Sequence, residues 1–411
     1  MRGPTAASVG APPLAAFSGY GIELEYMIVD AESLAIRPLA GQLLEALAAK
    51  DSQAGRDGIG WSNELVRHVV EVKNVAPGPD LAPLPAHFHD EIRAANRLLA
   101  AHGARLMPSA MHPWMDPRAD TALWDDPIYR AYDRIYGCKG HGWANLQSMH
   151  VNLPFADDAQ FARLHAAIRL VLPLLPALAA SSPIADGAAT GLCDFRLDAY
   201  RTICDITPGV TGLVVPETVA TRAEYEAKIL APMYDEIAPH DPDAVLRHEW
   251  LNSRGAIARF DRNAIEIRVI DVQECPQADA AIAAAAAAVV KALYDERYAP
   301  LDEQQAIATE MLYDILLATI RDADEAIVDD EEYLHALGMP RARCTARAIW
   351  SALLGETANG AWWRPAIDTI LREGPLARRI LRAVGAGAAR ERLHAVYGAL
   401  CQCLEDGRMF R

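Results

Sequence analysis

The order of hydrophobic and polar positions divides the chain into a strand-rich first part and a helical last part. Strict alternation is typical of a strand with one buried face, whereas apolar residues spaced three and four apart are typical of an amphipathic helix. The alternation predicts strands over 21–30, 66–73, 145–155 and 264–272. The helical spacing predicts helices over 40–50, 84–102 and 158–180, over an Ala-rich segment after 272, and from about 301 onward.

The four predicted strands share one design, an apolar face opposite a face of polar and ionisable side chains. These side chains are Glu23 and Glu25 in GIELEYMIVD, Glu71 in HVVEVKN, His150 and Asn152 in SMHVNLPF, and Glu266 and Arg268 in NAIEIRVID. A solvated edge explains one such strand equally well. Four in one chain favour a sheet whose front lines a polar site and whose back packs on helices.

The four glutamates on this face indicate a site for a hard divalent cation. Carboxylate oxygens suit Mg²⁺ or Mn²⁺, whereas Zn²⁺ would favour cysteine and more histidine. Magnesium held by a few carboxylates commonly shares its coordination shell with nucleotide phosphates. The chain has neither a GxxxxGK[ST] motif nor a GxGxxG motif after a strand, so phosphate binding would depend on metal ions and arginines. Arg268 is placed to neutralise charge on a transferring phosphoryl group.

Composition narrows the class of protein. The 411 residues are 52% hydrophobic and 23% charged, which is ordinary for a globular chain, and the net charge of -16 argues against a nucleic-acid partner. The seven cysteines contain no CxxC pair, which favours reduced thiols and a cytoplasmic location. The apolar stretches 166–180 and 280–290 are each shorter than the roughly 20 residues of a membrane span, so we expect buried helices and no membrane.

The four strand motifs resemble, in order, those of the glutamate–cysteine ligases, and in particular the bacterial carboxylate–amine ligases. Two intervening stretches strengthen the resemblance, MHPWMDP with YRAYDRIYG, and SSPIADGAATGLCDFRLDAYRT. The match runs from about residue 17 to 290. It implies an α+β, glutamine-synthetase-like fold, in which a curved antiparallel sheet lines the active site and helices pack behind it. We expect a flexible lead-in over 1–16, a catalytic domain over 17–300 and a helical portion of the same domain over 301–411.

The resemblance also implies roles for individual residues. Those implied to hold Mg²⁺ (or Mn²⁺) around the phosphates of the co-substrate ATP are Glu23, Glu25, Glu71, Glu266 and His150. Arg268 would act catalytically with His150 and contact the transferring phosphate, and Arg259 and Arg254 are candidate phosphate ligands by position. The implied substrate-binding residues are Arg196, Arg201, Asn152 and Gln147. Members of the group usually have His-x-His-x-Gly where this chain has His150-Val151-Asn152-Leu153, so we expect a different substrate pocket.

The predicted function is ATP-dependent ligation of a carboxylate, that of L-glutamate at its γ position, to an amine such as that of cysteine, through an acyl phosphate. The alternatives are a ligase of the same fold acting on another amino acid or amine, a metal-dependent hydrolase and a catalytically silent binding relative. A homo-oligomer is left open. Simpler interpretations also stand for single residues, including Glu71 as an ordinary ion-pair partner of Lys73 or Arg67, and His150 as a neutral structural histidine.

Overall fold

The computed structural model describes residues 12–411 except 52–57, 358–359, 386 and 388. The predicted flexible lead-in therefore lies largely outside the described residues. The strands are β1 Gly21–Asp30, β2 Ile59–Asn63, β3 Val69–Asn74, β4 Ala104–Met107, β5 Ser148–Pro154, β6 Ile184–Ala185, β7 Ala188–Ala189, β8 Ala256–Arg259, β9 Ala264–Asp271, β10 Ile327–Val328 and β11 Cys344–Thr345.

Helices account for most of the remaining regular structure. They are α1 Ala40–Asp51, α2 Leu84–Ala100, α3 Pro117–Asp120, α4 Pro127–Tyr136, α5 His141–Ala144, α6 Asp158–Val171, α7 Pro176–Ala179, α8 Phe195–Tyr200, α9 Arg222–Tyr225, α10 Ala231–Ile237, α11 Pro276–Tyr294, α12 Leu301–Ala306, α13 Thr309–Asp322, α14 Glu331–Ala336, α15 Ala346–Thr357, α16 Arg364–Glu373, α17 Leu376–Val384 and α18 Arg390–Asp406. A π-helical turn joins α9 to α10.

A seven-stranded antiparallel sheet organises the molecule, in the order β2-β3-β1-β5-β9-β8 with β4 also pairing to β1. The ten-residue β1 lies at its centre. One edge of β1 pairs with β3, while the other pairs with β5 over its first half and with β4 over its second half. The mixed helix-and-strand class and the antiparallel sheet are thus confirmed.

Three strands of this sheet, β2, β4 and β8, were missing from the expectation. Each has only four or five residues, and none shows a clean alternation: only the first residue of IGWSN is buried, whereas all four residues of AIAR are buried. Such short segments are held by pairing with longer neighbours, since an isolated strand of this length has little intrinsic stability.

The back of the sheet is apolar and packs on helices. Ile22, Leu24 and Tyr26 of β1 are buried in the main core together with residues of α2, α6 and α11. The described helix α11 is long and apolar enough to cross a bilayer, but 78% of its most apolar window is buried inside the protein. This burial is typical of a core helix, since its alanines allow close approach of neighbouring elements on several sides.

The front of the sheet has two different halves. Along β1, Glu23 and Glu25 occupy one half, and the alternation continues on the same face with Met27 and Val29. Met27 and Val29 are buried in a second core cluster with residues of α17 and α18. The C-terminal helices therefore cover the apolar half of the front face.

The segment 301–411 is helical as expected, apart from the short pair β10–β11. Its acidic stretch over 322–332 contains one buried carboxylate. Asp324 is buried and pairs with Arg347 and, at 3.1 Å, with Arg378. This carboxylate joins three elements of the C-terminal portion.

Candidate active site

The antiparallel register brings the predicted metal-binding side chains of β1, β3, β5 and β9 together. Glu25 lies directly opposite Glu71 on β3, and Glu23 lies opposite His150 on β5. Side chains opposite each other on one face of a sheet are neighbours. The donor atoms of Glu23, Glu71 and His150 all lie within 4.8 Å of one another. The structure thus assembles these three residues as a candidate metal-binding group.

A second such group contains a residue that the sequence reasoning missed. The carboxylate oxygens of Glu25, Glu64 and Glu71 also lie within 4.8 Å of one another, so Glu71 belongs to both groups. Burial and the charges of Glu71 and Glu25 raise the pKa of Glu64 well above its ordinary value. Glu64 follows β2 two residues after Ser62, which lies opposite Glu71. This two-residue spacing was the available signal, but it has meaning only once β2 is known to be a strand.

His150 is in the centre of the carboxylates. Its Nδ1 lies 3.4 Å from Glu23 Oε2 and 3.9 Å from Glu266 Oε1, and its Nε2 lies 3.8 Å from Glu25 Oε1. Burial lowers the pKa of the imidazole, but these carboxylates together raise it above its ordinary value. This environment favours a charged imidazole over the neutral structural histidine that the sequence also allowed.

Two polar side chains of β5 hold the glutamates of β1 in place. Ser148 donates to Glu25 Oε2 through its backbone N–H at 2.6 Å and its hydroxyl at 3.0 Å. Asn152 Nδ2 donates to Glu23 Oε1 at 3.2 Å. An irregularity in the pairing of β5 with β9 falls between Met149 and Val151, on either side of His150. Asn152, predicted to bind substrate, thus also orients a predicted metal ligand.

Two arginines flank the glutamate of β9. Arg268 Nε lies 2.9 Å from Glu266 Oε1, and Arg259 Nη1 lies 3.3 Å from Glu266 Oε2. Arg268 also donates to the backbone carbonyl of Asn252 at 3.2 Å. The predicted phosphate-binding residues Arg268 and Arg259 are therefore at the edge of the cluster, and Arg268 is held by its carboxylate neighbour.

The other predicted arginines have partners elsewhere. Arg254 forms a two-pronged pair with Glu217 at 2.6 Å for both contacts, which is a structural ion pair and gives its expected phosphate-binding role no support. Arg196 is buried, lies 3.3 Å from Asp271 and donates to the carbonyl of Arg268 at 2.9 Å. These contacts make Arg196 a support of β9 and do not place it against a substrate.

Arg201 and Gln147, also predicted to bind substrate, are not brought to the cluster by any contact in the described part of the chain. Arg201, directly after α8, donates through Nε to Asp198 of that helix at 2.8 Å. The side chain of Gln147 is fully buried, and neither atom of its amide has a hydrogen-bond partner among the described residues. Their role in substrate binding stays a prediction.

The cluster has more acidic than basic groups. Five carboxylates, those of Glu23, Glu25, Glu64, Glu71 and Glu266, face four cationic groups that pair with them in the described structure, Lys73, Arg259, Arg268 and the imidazole of His150. Burial and the neighbouring Glu23 raise the pKa of Glu71 to about 7, whereas His150 and Lys73 outweigh burial and lower the pKa of Glu23. A donor set of clustered carboxylates with one imidazole fits Mg²⁺ or Mn²⁺.

The sequence model of the family described as Glutamate-cysteine ligase family 2 (GCS2) matches residues 20–399. The chain belongs to this family. The match extends through the C-terminal helices, beyond the region over which the motifs alone showed a resemblance.

Individual relatives differ in how much of their length is matched. An uncharacterized protein of Archaeoglobus fulgidus is 34% identical over 282 residues, which cover 67% of this chain and 75% of the relative. A Rubrobacter xylanophilus protein with the provisional name glutamate–cysteine ligase 2-3 is 30% identical over 44% of this chain. That match spans only 48% of the Rubrobacter protein.

Two solved structures share the fold at low sequence identity. The glutamate–cysteine ligase of Francisella tularensis, in complex with AMP, gives a TM-score of 0.57 at 11% identity, over 94% of this chain and 88% of that one. The bifunctional glutathione synthetase of Pasteurella multocida gives 0.58 at 12% identity, over 95% of this chain and 52% of that one. The fold therefore extends across nearly the whole chain.

Proposed function

We propose that the protein is an ATP-dependent carboxylate–amine ligase, which joins the γ-carboxylate of L-glutamate to an amine through an acyl phosphate. The observation that carries the proposal is the cluster of five carboxylates that also contains His150, with Arg268 at its edge. Membership of the glutamate–cysteine ligase family supports the reaction class. The AMP complex of the Francisella ligase, which shares the fold, supports a nucleotide substrate.

The carboxylates and the imidazole of the cluster would hold Mg²⁺ or Mn²⁺. When bound, the metal supplies positive charge for the phosphates of ATP, which the acid-rich cluster would otherwise repel. Ser148 and Asn152 keep Glu25 and Glu23 oriented, so that these carboxylates need little rearrangement during the reaction.

The chemistry then has two steps. An oxygen of the substrate carboxylate attacks the γ-phosphorus of ATP, a new P–O bond forms, and the bond to the β-phosphate oxygen breaks to release ADP. The nitrogen of the amine attacks the acyl carbon, a C–N bond forms, phosphate leaves and the amine loses a proton. Arg268, held by Glu266, donates hydrogen bonds to the phosphoryl oxygens as they gain charge.

The acceptor amine is the part of the function on which this chain differs from its group. Asn152 replaces the second histidine of the usual His-x-His-x-Gly motif, and its amide donates to Glu23. An amide carries no charge at any physiological pH, so this position cannot supply a cation to the acceptor. We therefore propose cysteine as one candidate within a wider set of amines.

A screen for ADP release tests the proposal. Purified protein is incubated with Mg²⁺–ATP and L-glutamate, alone and with a panel of amino acids and amines, and products are identified by mass spectrometry. We expect ADP only when a carboxylate and an amine are both present, and a glutamyl hydroxamate when hydroxylamine replaces the amine, because it captures the acyl phosphate. The Glu25→Gln variant is the control for contaminating ATPases. ADP release without any acceptor would favour the hydrolase, and ATP binding without turnover would favour a silent relative.

A further inference from the structure

Lys73 is the one lysine among the described residues that pairs with the carboxylate cluster. It lies on β3 two residues after Glu71, on the same face, and directly opposite Glu23 on β1. Its ammonium donates to Glu71 Oε1, and the hydroxyl of Ser62 donates to the same oxygen at 2.7 Å. A cation of the protein is thus already bound to the carboxylate that both candidate metal-binding groups share.

The surroundings of Lys73 allow its ammonium to leave. The side chain of Lys73 is 35% exposed, whereas that of Glu71 is only 5% exposed. The lysine stem is flexible, so its charged end can turn toward water, whereas the planar guanidinium of Arg268 is held on both sides, by Glu266 and by the carbonyl of Asn252. Of the cations that contact the cluster, Lys73 is therefore the one best placed to be displaced.

We propose that Lys73 is an internal competitor for divalent cations, whose ammonium must release Glu71 before the metal-binding groups that share this carboxylate can be filled. The inference rests on the proposed function, since it takes the cluster as a Mg²⁺ or Mn²⁺ site. In the absence of a metal, the ammonium limits repulsion between Glu71 and Glu23. Its competition weakens metal binding by the protein alone and makes tight binding depend on ATP, whose phosphates contribute further ligands.

The test is a calorimetric titration of Mn²⁺ into the nucleotide-free protein. Lys73→Met removes the competing charge, and we expect it to bind Mn²⁺ about tenfold more tightly than the wild type, as expected when a nearby, partly exposed like charge is removed. Lys73→Arg retains the charge and is expected to keep the wild-type affinity. Lys139→Met is the matched control, because Lys139 is an exposed lysine outside the cluster.

A second variant covers the case in which Lys73→Met fails to fold. Lys73→Gln keeps a hydrogen-bond donor for Glu71 and is expected to show the same tightening. Unchanged or weaker Mn²⁺ binding in folded Lys73→Met and Lys73→Gln, with clear binding by the wild type, would overturn the role of Lys73 and leave the ligase proposal standing. Absence of Mn²⁺ binding in the wild type and in every variant would overturn the metal site, and both proposals with it.

Discussion

Two buried groups of charges lie along β9 and the segment after it, and they differ in their ratio of acidic to basic side chains. Beyond the end of β9, the fully buried Glu274 pairs with Arg379, whose side chain is 2% exposed. Arg379 also donates to the carbonyl of Phe410 at 2.7 Å, and the N–H of Phe410 donates to Glu274 at 3.2 Å. One acid and one base thus satisfy each other and fix the end of the described chain.

The carboxylate cluster on the front face of the sheet, to which β9 contributes Glu266, is not balanced in this way. Among the described residues, its five carboxylates pair with four cationic groups, Lys73, Arg259, Arg268 and His150, and Arg259 is shared with a further acid, Asp261. A buried charge without a partner is costly, so a balanced pair is explained by the fold alone, whereas an acid excess calls for a ligand that brings positive charge. The comparison therefore separates charges that stabilise the fold from charges that serve a site.

Breaking the balanced pair should have the largest effect on stability. Arg379→Met leaves Glu274 as an uncompensated buried charge, and we expect the free energy of unfolding to fall by about 3–5 kcal/mol, as is usual when one partner of a buried pair is removed. Denaturant unfolding measures this loss. Arg372→Met is the control, because its guanidinium is 62% exposed and pairs at the surface with Glu373. A loss below about 1 kcal/mol would show that the balanced pair stabilises the fold no more than the carboxylate cluster does.

Removing a carboxylate from the unbalanced cluster should have the opposite result, with a large effect on activity and little effect on stability. We expect Glu25→Gln to lower ligation by about a hundredfold to a thousandfold, comparable to the loss of a central electrostatic group in an active site. The melting temperature should stay the same or rise, because one of several repelling charges is gone. Steady-state assays beside a thermal melt measure both quantities. Full activity would remove Glu25 from the site, and a large drop in melting temperature would assign it to the scaffold.

Arg268→Lys tests whether the cation at the edge of the cluster acts in the chemistry. The change keeps the charge but loses the planar fork that grips two phosphoryl oxygens. We expect kcat to fall by about a hundredfold, or about 3 kcal/mol, while KM for ATP changes little. If Arg268 serves only the scaffold, as Arg379 does, the melting temperature will fall and kcat per folded molecule will remain normal.

Magnesium should supply the charge that the cluster lacks. Calorimetric titration of ATP is expected to show much tighter binding with Mg²⁺ than in EDTA, because the carboxylates repel the bare triphosphate. Mg²⁺–ATP at about ten times its dissociation constant should raise the free energy of unfolding by about 1.4 kcal/mol. The Glu71→Gln variant should lose most of this stabilisation. Equal affinity for ATP in both buffers would contradict the inferred acid excess.

The pH dependence of stability tests a single carboxylate of the cluster, that of Glu71. The pKa of Glu71 is about 7 in the folded protein, above its ordinary value near 4.5, because of burial and of Glu23. Between these pH values the folded state binds more protons than the unfolded state, so this group makes stability fall as pH rises, by at most about 1.4 kcal/mol per unit. In EDTA, Glu71→Gln should flatten that slope. An identical slope in both proteins would show that Glu71 titrates normally.

Local pattern alone predicted much of the fold and of the cluster. The long strands β1, β3, β5 and β9 alternate over six to ten residues, so their apolar backs and ionisable fronts could be read directly. Whether these fronts would meet depends on strand order and register, and the resemblance implied only that the four strands belong to one antiparallel sheet. The sequence does not contain this information locally, since register is set by pairing across the sheet.

What escaped the prediction depends on tertiary partners. Glu64 follows a five-residue strand with no clear alternation, so only its pairing with β3 shows that it faces the cluster. Arg254 and Arg196 were assigned to ligands, but Glu217 and Asp271, distant in sequence, take up their charges. An arginine near a site and an arginine supporting it have the same local sequence, and only their contacts separate them.

The central position of β1 has a consequence for how the protein can change over time. Glu23 and Glu25 stand on a strand that is hydrogen-bonded along both edges, so their backbone opens only when the sheet itself opens. Amide hydrogens there should exchange with solvent among the slowest in the molecule. A change in acceptor preference, whether by natural drift or by directed evolution, should therefore come from substitutions in loops and helix ends around the sheet. Substitutions along β1 should be removed by selection, because they disturb the metal-binding carboxylates and the core together.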